Sequence, residues 1–186
     1  GSGIASCTIT MSDGDTADCS AGDGSADFTM ADGADYTASI AIADNAGNSA
    51  TSNTDTFSMD NTDPAAAITS DIVWSNDGTA TVTFTASDGG SGIASCTLTL
   101  SHATEADQTD VSCANGNGQA TFNVADGADY TASIAIADTA GNTGSSNTDT
   151  FSADNTDPAA AITSDVVWEN DGVVTVTWTA SDGGSG

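Results

Sequence analysis

Residues 79–87 read TATVTFTAS, and their alternation decides the fold. Ala80, Val82, Phe84 and Ala86 fall on one face and threonines on the other. That period of two belongs to a strand with one buried and one wet side. Working outward, the other strand candidates in this stretch are 65–74, 93–100, 110–113, 120–124, 130–137 and 145–152. Asn76, Asp77 and Gly78 form a hairpin turn signal between the first two candidates, and 138–142 is a turn before the last. No segment has a helical period. Short strands at this spacing read as an all-β sandwich of seven strands.

The sequence also repeats itself. GSGIASCT at 1–8 returns at 90–97, ADGADYTASIAIAD at 31–44 returns at 125–138, and SNTDTFS at 52–58 returns at 146–152. DNTDPAAAITSD at 60–71 returns at 154–165, and SDGGSG at 87–92 returns at 181–186. The offset is 89 early in the unit and 94 later, because five residues are inserted between paired cysteines. A length change confined to one place reads as a surface loop. The period suits a whole small β domain. Pro64 and Pro158 mark the linker, since proline cannot continue a ladder. The expected division is 1–60 as the later part of one repeat, 61–154 as a complete repeat, and 155–186 as the opening strands of a following one. Two readings of this permuted window stay open. It is a stretch of a continuous array, or the tail strands of one chain complete the head of the next.

Composition excludes whole classes of function. The chain has 186 residues, 27 acidic side chains, no Lys or Arg and one His, for a formal net charge of −27. Glu105 and Glu169 are the only glutamates, so 27 − 2 leaves 25 aspartates. Nothing can neutralise phosphates, which excludes nucleic acid and an anionic membrane surface as partners. No apolar run is long enough for membrane insertion. The charge must be screened by salt, neutralised by bound cations or borne as self-repulsion. With 38% hydrophobic residues in alternating runs, the chain does not read as a disordered acidic tail. No catalytic residue is assigned and no enzyme is expected. There is no lone reactive cysteine and no glycine-rich loop leading into a helix, and His102 in the inserted loop reads as solvated.

The four cysteines fall one pair to a repeat: Cys7 with Cys19, and Cys96 with Cys113. Cys7 is read as ending a short strand, with Cys19 on the return after the turn at 12–15. A disulfide clipping this hairpin is the simplest account, worth roughly 3 kcal/mol for a loop of about 15 residues. It implies an oxidising, extracellular compartment. A zinc or redox site would need CxxC spacing or nearby histidine.

DGADYTA at 32–38 and 126–132 resembles the tyrosine corner of immunoglobulin domains, which implies that Tyr36 and Tyr130 hydrogen-bond back to the corner backbone. Together with the DNTDP linker, the SDGGSGI loop at 87–93 and the Asp-x-Ala-Gly-Asn turn, the whole chain resembles tandem bacterial and archaeal immunoglobulin-like (Big-type) repeats of large surface adhesins and extracellular fibres. The resemblance implies tandem immunoglobulin-like sandwiches of Greek-key topology at the cell surface. It departs from antibody domains at Ala38 and Ala132, where those carry cysteine, and in having no Trp on the third strand.

In sandwiches run end to end, the loops that face a neighbour carry aspartate here. Around the first junction these are Asp32, Asp35, Asp60, Asp63 and Asp88, with Asp138 as a further candidate. Around the second they are Asp126, Asp129, Asp154, Asp157 and Asp182. Carboxylates that converge without Lys or Arg repel unless a hard cation sits among them, and Ca2+ with its six to eight oxygen ligands suits such loops. Aspartate is also the natural turn residue, and no EF-hand pattern is present. The expected function is a spacer or stalk of an extracellular adhesin or filament, with neighbouring copies of the repeat as partners and cations stiffening the junctions. The rival readings are a filament subunit completed by strand donation and a carbohydrate-binding module with a glycan or cell-surface target. For the latter, Trp74, Trp168 and Trp178 are the candidates for stacking on sugars, although Trp178 aligns with Phe84 and so reads as core.

Overall fold

The computed structural model describes residues 1–72, 74–165 and 168–183, with the backbone alone at Ala34, Trp74, Gly127 and Ala128. The recurrence of GSG at 184–186 and the sugar-stacking reading of the Trp74 side chain lie outside the described residues. The strands are β1 (Ile4–Met11), β2 (Thr16–Asp18), β3 (Gly33–Asp44), β4 (Ser49–Thr51), β5 (Asp55–Met59), β6 (Ala65–Ile68), β7 (Trp74–Ser75) and β8 (Thr79–Ser87). They continue with β9 (Ile93–Ser101), β10 (Gln108–Asp110), β11 (Gly118–Asn123), β12 (Gly127–Asp138), β13 (Thr143–Ser145), β14 (Asp149–Ala153), β15 (Ala159–Ile162) and β16 (Trp178–Ser181). The chain packs as two compact units. The first is Gly1–Asp63 with the loops Asp88–Gly92 and Asp138–Asn142; the second is Pro64–Ser87, Ile93–Ala137 and Thr143–Gly186.

In the second unit, two sheets close on one core. One has the order β11-β8-β6, the other β10-β9-β12-β14-β7, with β13 also pairing β12. The chain changes sheet from β8 to β9 and again from β11 to β12, which is the Greek-key path of an immunoglobulin-like sandwich. The alternation of 79–87 appears as expected: Ala80, Val82, Phe84 and Ala86 are all buried. They join Leu98, Leu100, Ile134, Ile136 and Phe151 in one apolar cluster.

Three strand candidates are corrected. The stretch 65–74 is two strands in different sheets: β6 pairs antiparallel with β8, and β7 pairs parallel with β14. Asn76 to Gly78 therefore turns the chain from one sheet to the other and does not close a hairpin of adjacent strands. The candidate 110–113 is the end of β10 followed by a 3-10 turn, Ser112–Asn115, which carries Cys113 inward. The candidate 145–152 divides into β13 and β14.

The first unit holds a single sheet among the described residues, of order β2-β1-β3-β4 with β5 on β3. Its residues match those of the second unit, but its apolar face is more open. Ile9, Ile40 and Ile42 are half-buried, while their counterparts Leu98, Ile134 and Ile136 are buried. Residues 159–162 and 178–181 form a separate two-stranded sheet, β15 with β16.

Both cysteine pairs are disulfide-bonded, Cys7 to Cys19 and Cys96 to Cys113. Cys7 lies in the middle of β1 and not at a strand end, because β1 runs on to Met11 to pair with β3. Both tyrosine corners are formed. The Tyr36 hydroxyl donates to the Ala31 carbonyl at 3.0 Å, and the Tyr130 hydroxyl accepts from the Ala125 amide at 3.0 Å. At each corner the register slips by a bulge, between Gly33 and Tyr36 and between Gly127 and Tyr130.

Candidate functional site

The densest chemistry lies within the first unit, where residues 60–62 meet the loops 88–92 and 138–142. Each loop is built by its own aspartate. Asp88 Oδ2 accepts from the amides of Gly90 (3.2 Å) and Gly92 (2.6 Å). Asp138 Oδ1 accepts from the amides of Gly141 (2.6 Å) and Asn142 (2.7 Å), and its Oδ2 from the Asn142 side chain (2.7 Å). These are the local turn bonds that make aspartate favourable in loops. The two loops are then stitched together: the Thr139 amide donates to the Gly92 carbonyl at 2.9 Å and the Ala140 amide to Ser91 Oγ at 3.1 Å.

Asp60 enters this pair of loops from the segment after β5. Its Oδ2 accepts from the Ser91 amide at 2.6 Å and its Oδ1 from the Thr62 amide at 3.0 Å. Ser91, through its hydroxyl and its amide, holds the Asp60 carboxyl below the ordinary aspartate value of 3.8. Asn142 Nδ2 donates to the Asp60 carbonyl at 3.0 Å, which holds the linker backbone against the turn.

Carboxylate oxygens of Asp60, Asp88 and Asp138 lie within 4.8 Å of one another. Like charges at that spacing repel by about 1 kcal/mol per pair even at the dielectric of bulk water. Asp138 is only 3% exposed, which strengthens the repulsion. No Lys or Arg exists to offset it. Asp88 Oδ1 is buried and has no hydrogen-bond partner. An oxygen in that state either bears its desolvation cost or faces a cation. The donor set is all oxygen, which suits a hard divalent ion such as Ca2+ and disfavours soft metals.

The other aspartates are placed differently. Asp32 accepts from the Asn61 amide and, at 2.6 Å, from the Thr62 hydroxyl. Asp126 repeats this with the Asn155 amide and, at 2.7 Å, the Thr156 hydroxyl. Both therefore shape the linker. Asp35 and Asp129 take the left-handed position of the corner bulge, with φ of 67° and 58°. Asp63 and Asp157 are exposed. Asp154 and Asp182 are the repeat counterparts of Asp60 and Asp88 and are half-buried. Among the described residues, Asp60, Asp88 and Asp138 make the one group of three. Sequence reading passed over Ser91, Asn142 and Gly90. Their signal was present in the repeated SDGGSG and Asp-x-Ala-Gly-Asn segments, read there as turns only.

Two aromatic readings change. Trp178 is 71% exposed, not core, because β15 and β16 have no second sheet over them among the described residues. His102 is half-buried and stacks on Tyr130 with ring centroids 4.8 Å apart.

Comparison with known families settles the class. The family described as bacterial Ig-like domain matches residues 8–61 and again 61–155. The chain belongs to the bacterial Ig-like domain family. Its two matched stretches make this a tandem array, and the family points to a structural, extracellular repeat role. No curated protein matches the chain. Among solved structures, the crystal structure of an engineered protein is 19% identical over 48% of this chain and 20% of that one, with a TM-score of 0.37. The chain thus spans about a fifth of that protein, and the likeness is too slight to bear on fold or function. No helix among the described residues is long and apolar enough to cross a membrane.

Proposed function

We propose that this bacterial Ig-like chain is a spacer segment of an extracellular adhesin stalk or filament, structural and not catalytic, and that a divalent cation held by Asp60, Asp88 and Asp138 stiffens it. One observation carries the reading: three carboxylates converge in a chain with no cationic side chain, and Asp88 Oδ1 is buried there without a hydrogen-bond partner. Asp60 belongs to one sequence repeat and Asp88 and Asp138 to the next. A cation among them would tie consecutive repeats, which is what a load-bearing rod requires and a flexible string lacks. Partners on this reading are neighbouring copies of the repeat. A glycan target is favoured by one observation, the 91% exposure of Trp168. Loss of binding to a glycan array in Trp168→Ala would carry that second reading.

The test is thermal melting with Ca2+, with chelator, and with NaCl at matched ionic strength, on the native chain and on Asp88→Asn. The native chain is expected to gain several degrees in Ca2+ beyond its gain in NaCl, by preferential binding to the folded state. Asp88→Asn is expected to keep the NaCl gain and lose the Ca2+ increment. An equal response to both salts in the native chain sinks the cation site.

A further inference from the structure

Of the asparagines in the chain, only Asn115 and Asn117 precede a glycine, in the run Asn115-Gly116-Asn117-Gly118. That order carries chemistry. Glycine has no Cβ to shield its amide nitrogen, so the nitrogen can reach the side-chain carbonyl carbon of the residue before it. Both asparagines are exposed, but the fold holds them differently.

Asn115 is the last residue of the 3-10 turn Ser112–Asn115, and Gly116 follows it with φ of 97°. A left-handed position of that kind favours glycine, so the turn itself calls for the residue that leaves Asn115 open to attack. The turn ends on one bond, from the Gly116 amide to the Cys113 carbonyl at 3.0 Å. A single 3-10 turn has poor hydrogen-bond geometry and opens locally at low cost. The first repeat builds the same turn without asparagine. There the Gly22 amide donates to the Cys19 carbonyl at 3.1 Å, Gly22 has φ of 102°, and Ala21 stands in place of Asn115. The Asn115 side chain is therefore not what makes the turn.

Asn117 is held twice. Its Oδ1 accepts from the Ala86 amide at 3.0 Å. Gly118, whose nitrogen would attack it, is paired with Phe84, and a Cβ on Gly118 would stand 3.3 Å from the Phe84 ring. At Gly116 the nearest contact of such a Cβ is the Ala86 carbonyl oxygen, at 3.7 Å. Attack on Asn117 must free its side chain from β8 and free the glycine from the sheet. Attack on Asn115 opens one bond at the end of one turn.

We propose that Asn115 is a self-modification site, converted by its own neighbour to aspartate and isoaspartate while Asn117 is spared. The Gly116 nitrogen gives its proton to hydroxide and bonds to Asn115 Cγ. The Cγ–Nδ2 bond breaks and ammonia leaves, which closes a cyclic imide. Water then opens the imide at either carbonyl, so that asparagine and water become a carboxylic acid and ammonia with no change of oxidation state. One opening leaves aspartate; the other routes the main chain through the former side chain. Both products add a carboxylate to a chain without Lys or Arg. Isoaspartate also lengthens the main chain by one carbon between Cys113, fixed by its disulfide, and β11, which breaks the bond from Gly116 to Cys113. Ala21 has no side-chain carbonyl, so the first repeat cannot undergo this change at its own turn. The inference goes beyond the structural role proposed above and does not use the cation.

The test follows the native chain at mildly alkaline pH, by ammonia release and by peptide mapping with chymotrypsin, since trypsin has no site to cut. Conversion at 115 should run roughly five- to tenfold faster than at 117, the rate equivalent of one further hydrogen bond to open. In guanidinium chloride with the disulfides reduced, the two Asn-Gly sites should react at the same rate. Asn115→Ala should remove the fast phase of ammonia release from the folded chain. Equal rates at the two sites in the folded chain, or faster conversion at 117, overturn the proposal. So does a folded chain that releases no ammonia in the time the unfolded chain takes to react, which would mean that the turn protects Asn115 as well.

Discussion

Gly90 leaves no room for a side chain: an ideal Cβ there would stand 2.5 Å from the Asp60 carboxyl carbon. Gly89 beside it is open, with nothing within 4 Å. Neither has a positive φ, so an alanine is not penalised by backbone strain at either position. Space alone separates the two, and it separates them at the carboxylate cluster. Gly90→Ala is expected to push Asp60 away from Ser91, lower the melting temperature of the first unit by a few degrees for a cost of about 1–3 kcal/mol, and remove the Ca2+ increment. Gly89→Ala should change neither. If the two variants melt alike and both keep the Ca2+ response, Asp60 is not part of the site. Residues also differ in how far they could be read ahead of the structure. Tyr36 and Tyr130 were legible because each bonds to backbone five positions away, a contact written into one short segment. The bond from Ser91 to Asp60 joins residues 31 apart, and no local spacing announces it.

At the scale of the element, strands are decided by partners as much as by pattern. Residues 79–83 and 173–177 share the same alternation, TATVT against VVTVT, yet only the first is a strand, because only it lies beside β11. Alternation reports which face can be buried, not whether anything is there to bury it. The break after Ile68 escaped reading for a related reason. A sheet switch changes the partner from β8 to β14 while the residue types stay compatible with strand throughout. The 3-10 turn at Ser112–Asn115 was hidden because the disulfide brings Cys113 into the core from a turn. That turn makes the second disulfide the more telling one to remove. It closes 17 residues, and both its sulfurs belong to the buried cluster. The variant Cys96→Ala/Cys113→Ala is expected to lose on the order of 3 kcal/mol from loop entropy alone. In a sandwich of this size that lowers the melting temperature by more than about 10 °C. Calorimetry that shows the second-unit transition moved by less than about 3 °C would mean that the core, not the clip, holds the β9–β10 hairpin.

The whole molecule carries its charge without internal relief. Every one of the 27 carboxylates must find a hydrogen bond, a counter-ion or water, because no Lys or Arg is available. Folding brings those charges closer than they are in the extended chain, so repulsion opposes the folded state. Two ranges of that repulsion respond to different ions. The Debye length falls from roughly 30 Å at 0.01 M to about 8 Å at 0.15 M, so over that interval salt screens charges that lie farther apart than about 8 Å. Monovalent salt should therefore relieve them over that interval and little beyond it. Asp60, Asp88 and Asp138 lie within 4.8 Å, inside the screening length at any of these concentrations, so monovalent ions leave most of their repulsion in place. The expected result is a melting temperature that climbs between 10 and 150 mM NaCl, levels off, and then rises again when millimolar Ca2+ is added at constant ionic strength. Measured by circular dichroism on the native chain, the first rise belongs to the whole charge and the second to three residues. A flat NaCl response with the Ca2+ rise intact would show that the dispersed aspartates are held apart well enough to be harmless, and that only the cluster opposes folding.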